Sequence, residues 1–566
     1  MELAPERTRS AGPQARKRFF GQLPGPIVPQ LTELSIVLLT AYLLLFCGMT
    51  RRPGMYDEGI MLTGAMRVAA GQIPHRDFYF IYGPAEPYIL AGLFRIFGPS
   101  LLAERLFDLL IKALVVVSVY AIVRSYCRRP VAIFVSILSV LWIFSVSEFG
   151  LATTPVSLLN LVGSALVLPI FSRSLSTRRM LAAGAVSGMA LLFRYDTGIA
   201  LLAIHLVVIS IAVFLKPKDT ATRLRWFASA VWPYLFGFAL LTVPPAIYYF
   251  SVAPAAPLLH DIVLYPSKYY RRDRSLPFPR TRRLENLGIY LPIIIAGFSL
   301  YALVKVRFGR GGDAVHRMRE VPQERQWQGY LLMFGLLLGV MYLKGLVRVS
   351  IIQIYLAVIP SLLLIAVLFQ QRSNFVGWVR FSISCLMGLS LVAATWASIQ
   401  EIEAQYAEHL SAETRKSWCQ LKNPLTEGYC FLPEEDRIHA IEFIASHTQP
   451  GQPLYSGLKH HDRVYANDNL IYFATQRLPV TRWSHFDPDL QNHYDIQTQM
   501  IQEMERNPPP YIVIDSEFDL MREPNGSGRS SGVKLLDTYI NDHYQPSETF
   551  GVMSIWGRDN LAGNSR

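Results

Sequence analysis

Long apolar runs punctuate the chain from residue 31 to residue 399, and they decide its class before any single side chain does. A run of roughly 17–25 apolar residues, wound as a helix, crosses ~30 Å of hydrocarbon. Such runs lie at about 31–49, 101–123, 131–147, 156–171, 181–193, 198–215, 227–250, 287–306, 328–343, 349–369 and 376–399, with 181–215 open to other divisions. The spacing predicts about eleven membrane helices. Composition agrees: 51% of the 566 residues are hydrophobic and 17% charged, against about 25% charged in soluble proteins. From about residue 400 the chain turns polar, and helical patterns alternate with short apolar strands. The expected fold class is a polytopic α-helical membrane protein with a small C-terminal α/β domain.

Lys and Arg near the span ends give the expected orientation. Alternate short loops are basic: Arg124, Arg128 and Arg129; Arg173, Arg178 and Arg179; Lys216, Lys218, Arg223 and Arg225; Arg307 to Arg325. With the basic tail at 1–30, they mark the cytoplasmic side. The loop at 50–100, the loop at 251–286 and the domain at 400–566 then lie outside. The net charge of +12 needs only these basic loops, so no nucleic-acid partner is implied. Cys419 and Cys430 stand close together in the outer domain. They pair if that domain is extracytoplasmic, and also occur this close by chance.

Three features of the outer side could carry chemistry. Asp57 and Glu58 are adjacent carboxylates just where the chain leaves the first span, and Glu148 is a further outer acid. The bland reading of the pair is interfacial helix capping. The loop at 251–286 breaks the charge rule with Lys268, Arg271, Arg272, Arg274, Arg280, Arg282 and Arg283. It reads either as a solvated charge run or as an anion site at headgroup depth. Arg194, Lys344 and Arg348 sit in short turns between spans, and ionisable groups at membrane depth are a functional hint. Glu104, Asp108 and Lys112 share one helix face and are expected to pair structurally. His460–His461–Asp462 reads as a surface turn, and Glu523–Gly532 as a flexible loop. Together a carboxylate and a cation cluster on one face suit transfer from a phosphate leaving group. The acceptor hydroxyl needs a base, and the departing phosphate needs Arg or Lys.

The run Tyr56–Asp57–Glu58–Gly59, then Gly71 to Phe78 with His75, Arg76 and Asp77, then Tyr82–Gly83–Pro84, resembles the first outer loop of GT-C membrane glycosyltransferases. The similarity is to the branch of dolichyl-phosphate-mannose protein mannosyltransferases, aminoarabinose transferases and bacterial relatives. That resemblance implies an inverting hexosyl or pentosyl transfer from a polyprenyl-phosphate sugar, on the extracytoplasmic face of a bacterial plasma membrane. It implies Asp57 as general base, Glu58 as acceptor-positioning carboxylate and Glu148 as a further acid. It implies Lys268, Arg271 and Arg272, with Arg194 and Arg348 behind them, as lipid-phosphate ligands, and Asp77 and Tyr82 as loop supports. Several relatives carry a Lys-Pro pair where this chain has Gly83–Pro84, so another cation must serve here. The acceptor class stays open between glycan, lipid and protein. No cofactor is implied for certain. The adjacent carboxylates could bind a divalent metal, but no full oxygen-ligand set is visible. The rival readings are a transporter or flippase of lipid-linked sugars, for which inverted repeats and midplane charges are wanting, and a scaffold whose working part is the C-terminal domain.

Overall fold

The computed structural model describes residues 30–146, 148–172, 175–215, 219–279, 284–308, 322–406 and 410–559; for 269, 271, 285, 306–308, 322–324, 406 and 520 it describes the backbone alone. The N-terminal tail and several cytoplasm-assigned basic residues, Arg173, Lys216 and Lys218 among them, lie outside the described residues, as do Arg280, Arg282 and Arg283.

Every predicted stretch is helical. In chain order these are α1 (Leu31–Cys47), then, after two helices taken up below, α4 (Leu101–Tyr126), α5 (Arg129–Phe144), α6 (Thr153–Val167), α7 (Thr177–Phe193), α8 (Tyr195–Phe214) and α9 (Thr220–Val252). Leu287–Phe308, Pro322–Gly345, Ile351–Gln370 and Gly377–Tyr406 follow. Among the described residues eight helices are long and apolar enough to cross a membrane, and α1 and α5 are shorter apolar helices. The chain is an integral membrane protein. A single extended residue, Arg194, separates α7 from α8.

The segment at 50–100 folds further than its sequence announces. It forms α2 (Asp57–Ala69) and α3 (Ala85–Phe97). Glu58 to Val68 are all buried, so α2 has no solvent face and shows no amphipathic stripe to read. Its cover is the C-terminal domain. Thr63 Oγ1 donates to the Asn469 carbonyl at 2.8 Å, and Asn469 N donates to the Met55 carbonyl at 2.9 Å. Arg67 donates to the Thr481 carbonyl at 3.0 Å and to Ser484 Oγ at 3.3 Å.

That domain holds a five-stranded sheet of order β2-β1-β3-β5-β4, built from β1 (Pro453–Leu458), β2 (Leu478–Pro479), β3 (Tyr511–Asp515), β4 (Tyr544–Phe550) and β5 (Met553–Arg558). β1 runs parallel to β2 and β3, and β5 antiparallel to β3 and β4. β2 is only two residues long, and the chain just beyond it turns onto Arg67, which takes up the Thr481 carbonyl. β4 escapes sequence reading because it is a polar, exposed edge strand holding Pro546, a residue sheets accept at edges.

Two expectations are corrected. His461 and Asp462 are buried, not at the surface. The His461 ring bridges Asp537 Oδ1 and Tyr455 Oη, each at 2.6 Å. The Glu523–Gly532 loop is pinned: Asn525 Nδ2 donates to the Ser275 carbonyl at 3.0 Å, and Ser531 N to the Asp462 carbonyl at 2.7 Å. Cys419 and Cys430 are joined as a disulfide.

The seam between α2 and the C-terminal domain is tight at Gly59, where an added Cβ would lie 2.7 Å from Leu470 N. Backbone cannot yield as a flexible side chain does. Gly59→Ala is expected to cost about 1–3 kcal/mol, seen as a lower melting temperature of the detergent-solubilised protein. An unchanged melting temperature would show the seam to be loose.

Candidate active site

Asp57 opens α2, so its carboxylate stands at a helix N-terminus, where the aligned peptide dipoles favour negative charge. It is half-buried, and the Tyr82 hydroxyl donates to its Oδ1 at 2.7 Å. Glu58, the next residue, points into a different environment. Its Oε1 accepts from Arg105 Nε at 2.7 Å; its Oε2 accepts from Arg105 Nη2 at 2.8 Å and from Gly54 N at 2.5 Å. The adjacent carboxylates thus have separate surroundings, one open and one locked into a buried ion pair. Glu148 has an exposed side, but burial of its carboxyl and then the charge of Asp57 push it up to about 7. Lys112 pairs with Asp108 at 2.8 Å as the spacing predicted, and also donates to the Glu148 carbonyl at 2.9 Å. Glu104 lies buried on the same helix.

Beside Asp57 opens a cleft of about 400 Å³, lined by Tyr82, Tyr270, Arg194, Asp196, Lys344 and Arg348 among others. The Arg194 guanidinium lies 5.6 Å from the centre of the Tyr82 ring. Asp196 ties Lys344 at 3.0 Å and Arg194 at 3.3 Å. Arg348 grips Glu523 with both Nη atoms, at 2.7 and 2.6 Å. Burial would raise Glu523, yet the Arg348 fork holds its carboxyl down at about 2. The cleft therefore gathers three cations against one lining carboxylate, all three positioned by fixed partners.

The residue preceding Asp57 is clamped from two segments. Arg274 Nη2 donates to Tyr56 Oη at 2.8 Å and to Asp487 Oδ1 at 2.9 Å. Tyr56 Oη lies 3.2 Å from Asp487 Oδ1 and 3.1 Å from the Phe486 carbonyl. The Tyr79 hydroxyl donates to Asp487 Oδ2 at 3.1 Å, and the Tyr265 hydroxyl to the Pro488 carbonyl at 2.8 Å. The His485 ring stacks on Tyr82 at 6.5 Å, and burial lowers its proton affinity.

Of the residues singled out in the sequence, Asp57, Tyr82, Arg194, Lys344 and Arg348 come together here. Lys268 and Arg272 do not line the cleft: Lys268 is exposed, and Arg272 pairs with Asp273 and Asp489. The side chain of Arg271 lies outside the described residues. Asp77 builds its own loop, accepting from Ile73 N at 2.7 Å and pairing with Arg76. Sequence reading missed the roles of Arg274, Tyr270, His485 and Asp487. Arg274 looks like any other member of its basic run, and Asp487 lies more than 400 residues from its partner Tyr56. No cluster of three or more His, Cys, Asp or Glu fit for a metal occurs among the described residues.

The chain thus joins a helical membrane scaffold to an α/β domain, with a carboxylate beside a cation cleft near where they meet. The dolichyl-phosphate-mannose-protein mannosyltransferase family matches residues 82–249. The crystal structure of ArnT from Cupriavidus metallidurans bound to undecaprenyl phosphate superposes with a TM-score of 0.56 at 14% identity, over 93% of this chain and 98% of that one. Its apo form gives 0.54 at 13% identity, over the same shares. At such identity the likeness is one of fold. No curated protein matches the sequence.

The Arg274–Asp487 pair is 7% and 3% exposed. Removing one member leaves a buried charge without its ion partner, at a cost of about 3–5 kcal/mol. Arg274→Met is expected to lower the melting temperature sharply, and Arg274→Met/Asp487→Leu to recover part of the loss. Equal stability of the single and double variants would deny the coupling.

Proposed function

We propose that the chain is an integral-membrane glycosyltransferase that moves a sugar from a polyprenyl phosphate to an acceptor on the extracytoplasmic face, with inversion. One observation carries the reading: Tyr82 touches both halves of the chemistry. Its hydroxyl holds Asp57 at 2.7 Å, and its ring lines the cleft of Arg194, Lys344 and Arg348. The solved ArnT structure that shares the fold is bound to undecaprenyl phosphate, a ligand whose anionic head suits those cations.

In the proposed step an acceptor oxygen attacks the anomeric carbon, and its proton passes to Asp57. The bond from that carbon to the phosphate oxygen breaks, and its electron pair leaves with the phosphate. Arg194, Lys344 and Arg348 neutralise the charge that develops there. With Glu58 occupied by Arg105, Asp57 is the carboxylate open to the substrate, which favours a single displacement over a two-carboxylate route. Glu58 then anchors the loop rather than positioning the acceptor. Outer placement of the C-terminal domain is supported by the Cys419–Cys430 disulfide, a bond of oxidising compartments. A bacterial plasma membrane with a cytoplasmic N-terminus fits the loop charges. The donor sugar is a hexose or pentose, and the acceptor a glycan, lipid or protein.

Asp57→Asn is expected to cut turnover by at least ~10²-fold with donor binding retained. Full transfer by a folded Asp57→Asn protein would end the proposal. Arg194→Ala should weaken polyprenyl-phosphate binding about tenfold, whereas Arg272→Ala should leave it unchanged, in a titration of the detergent-solubilised protein. Glu148 supplies a pH signature. It is neutral below about 7 and charged above, and its negative charge favours the positive charge that develops on the sugar ring as the bond to phosphate breaks. Turnover should rise through pH 7, and the inflection should vanish in Glu148→Gln.

A further inference from the structure

A second cleft, of about 500 Å³, opens where the 255–264 segment meets the C-terminal domain. Between it and the cation cleft a buried imidazole bridges one lining residue of each. His75 Nδ1 lies 3.3 Å from Asp261, which lines the second cleft, and His75 Nε2 lies 3.0 Å from the Tyr195 hydroxyl, which lines the first. His75 holds this place with a left-handed backbone, φ 67°. Such a conformation is rare for a non-glycine residue and persists where surrounding structure over-determines it.

The two clefts differ in chemistry. The second presents Asp261, Asp489 and Asp495, of which Asp261 is paired with Arg482 and Asp489 with Arg272, leaving Asp495 as its most exposed carboxylate. Its polar groups are held by neighbours: Arg482 pairs with Asp261 at 3.1 Å, His493 with Asp489 at 3.3 Å, and Gln499 accepts from Trp483 Nε1 at 3.1 Å. Leu490, Ile496 and Pro257 add apolar patches between them. Fixed carboxylates and an amide with interspersed apolar surface match a sugar, whose hydroxyls donate and accept while its C–H faces pack. A ring ladder also leads back to the reaction centre. Trp483 to Tyr79 is 5.5 Å, Tyr79 to His485 is 5.2 Å and His485 to Tyr82 is 6.5 Å.

We propose that this cleft binds the acceptor through an uncharged or amine-bearing carbohydrate portion, across His75 from the donor phosphate. The acceptor role rests on the glycosyltransferase reading; the carbohydrate site itself does not. Binding energy gathered there, away from the reacting atoms, orients the acceptor hydroxyl toward Asp57.

The test uses the full chain in lipid nanodiscs on a printed oligosaccharide array, with polyprenyl-phosphate titration alongside. Wild type should bind neutral or aminated sugars. Asp495→Ala and His493→Ala, both at exposed side chains, should bind them about tenfold or more weakly. Arg194→Ala should bind them as wild type does, and the two cleft variants should keep wild-type affinity for polyprenyl phosphate. A silent array, a preference for acidic sugars or peptides, or array signals indifferent to Asp495 and His493 would overturn the second cleft alone. Failure of wild type to bind polyprenyl phosphate would instead overturn the donor reading and the acceptor role with it.

Discussion

The buried contact of Arg274 with Tyr56 and Asp487 is the joint on which the candidate site depends. It brings together the first loop, the basic loop after α9 and the C-terminal domain. A buried ion pair is weak evidence of stability, because desolvation offsets most of the attraction. Its value here is positional. Tyr56 precedes Asp57 in the chain, so fixing the phenol fixes the start of α2 and the direction of the carboxylate. Arg67, packed among the Thr481, Ser484 and Asp77 oxygens, does the same for the far end of α2.

Around this joint the charges sort into three separate environments. Glu58 is neutralised by Arg105 inside the protein. Arg194, Lys344 and Arg348 stand together in a half-open cleft. Asp261, Asp489 and Asp495 line the other. On one side of His75 three cations share Asp196 and Glu523; on the other, carboxylates are paired with Arg482 and Arg272.

The membrane class and the helix positions were legible because hydrocarbon demands long apolar runs, and such runs survive in composition. Asp57 and Tyr82 were legible through a local motif. The rest depends on contacts across the chain. α2 reads as a loop since its apolar and polar residues alike are buried by a domain 400 residues away. Lys268 and Arg272 drew attention by breaking a charge rule, yet Arg272 is taken up by Asp273 and Asp489. Arg194 and Lys344, the quieter candidates, share Asp196. Charge counting locates a face of the molecule, and only the crossing of helices decides which of its cations meet.

Arg194 has a further consequence. It is the entire link between α7 and α8, a single extended residue with a helix on either side. Its guanidinium therefore has no loop to decouple it from the tilt of those helices. Any change in the angle between the two helices carries the cation with the backbone, away from or toward Tyr82, and so resets one wall of the cleft.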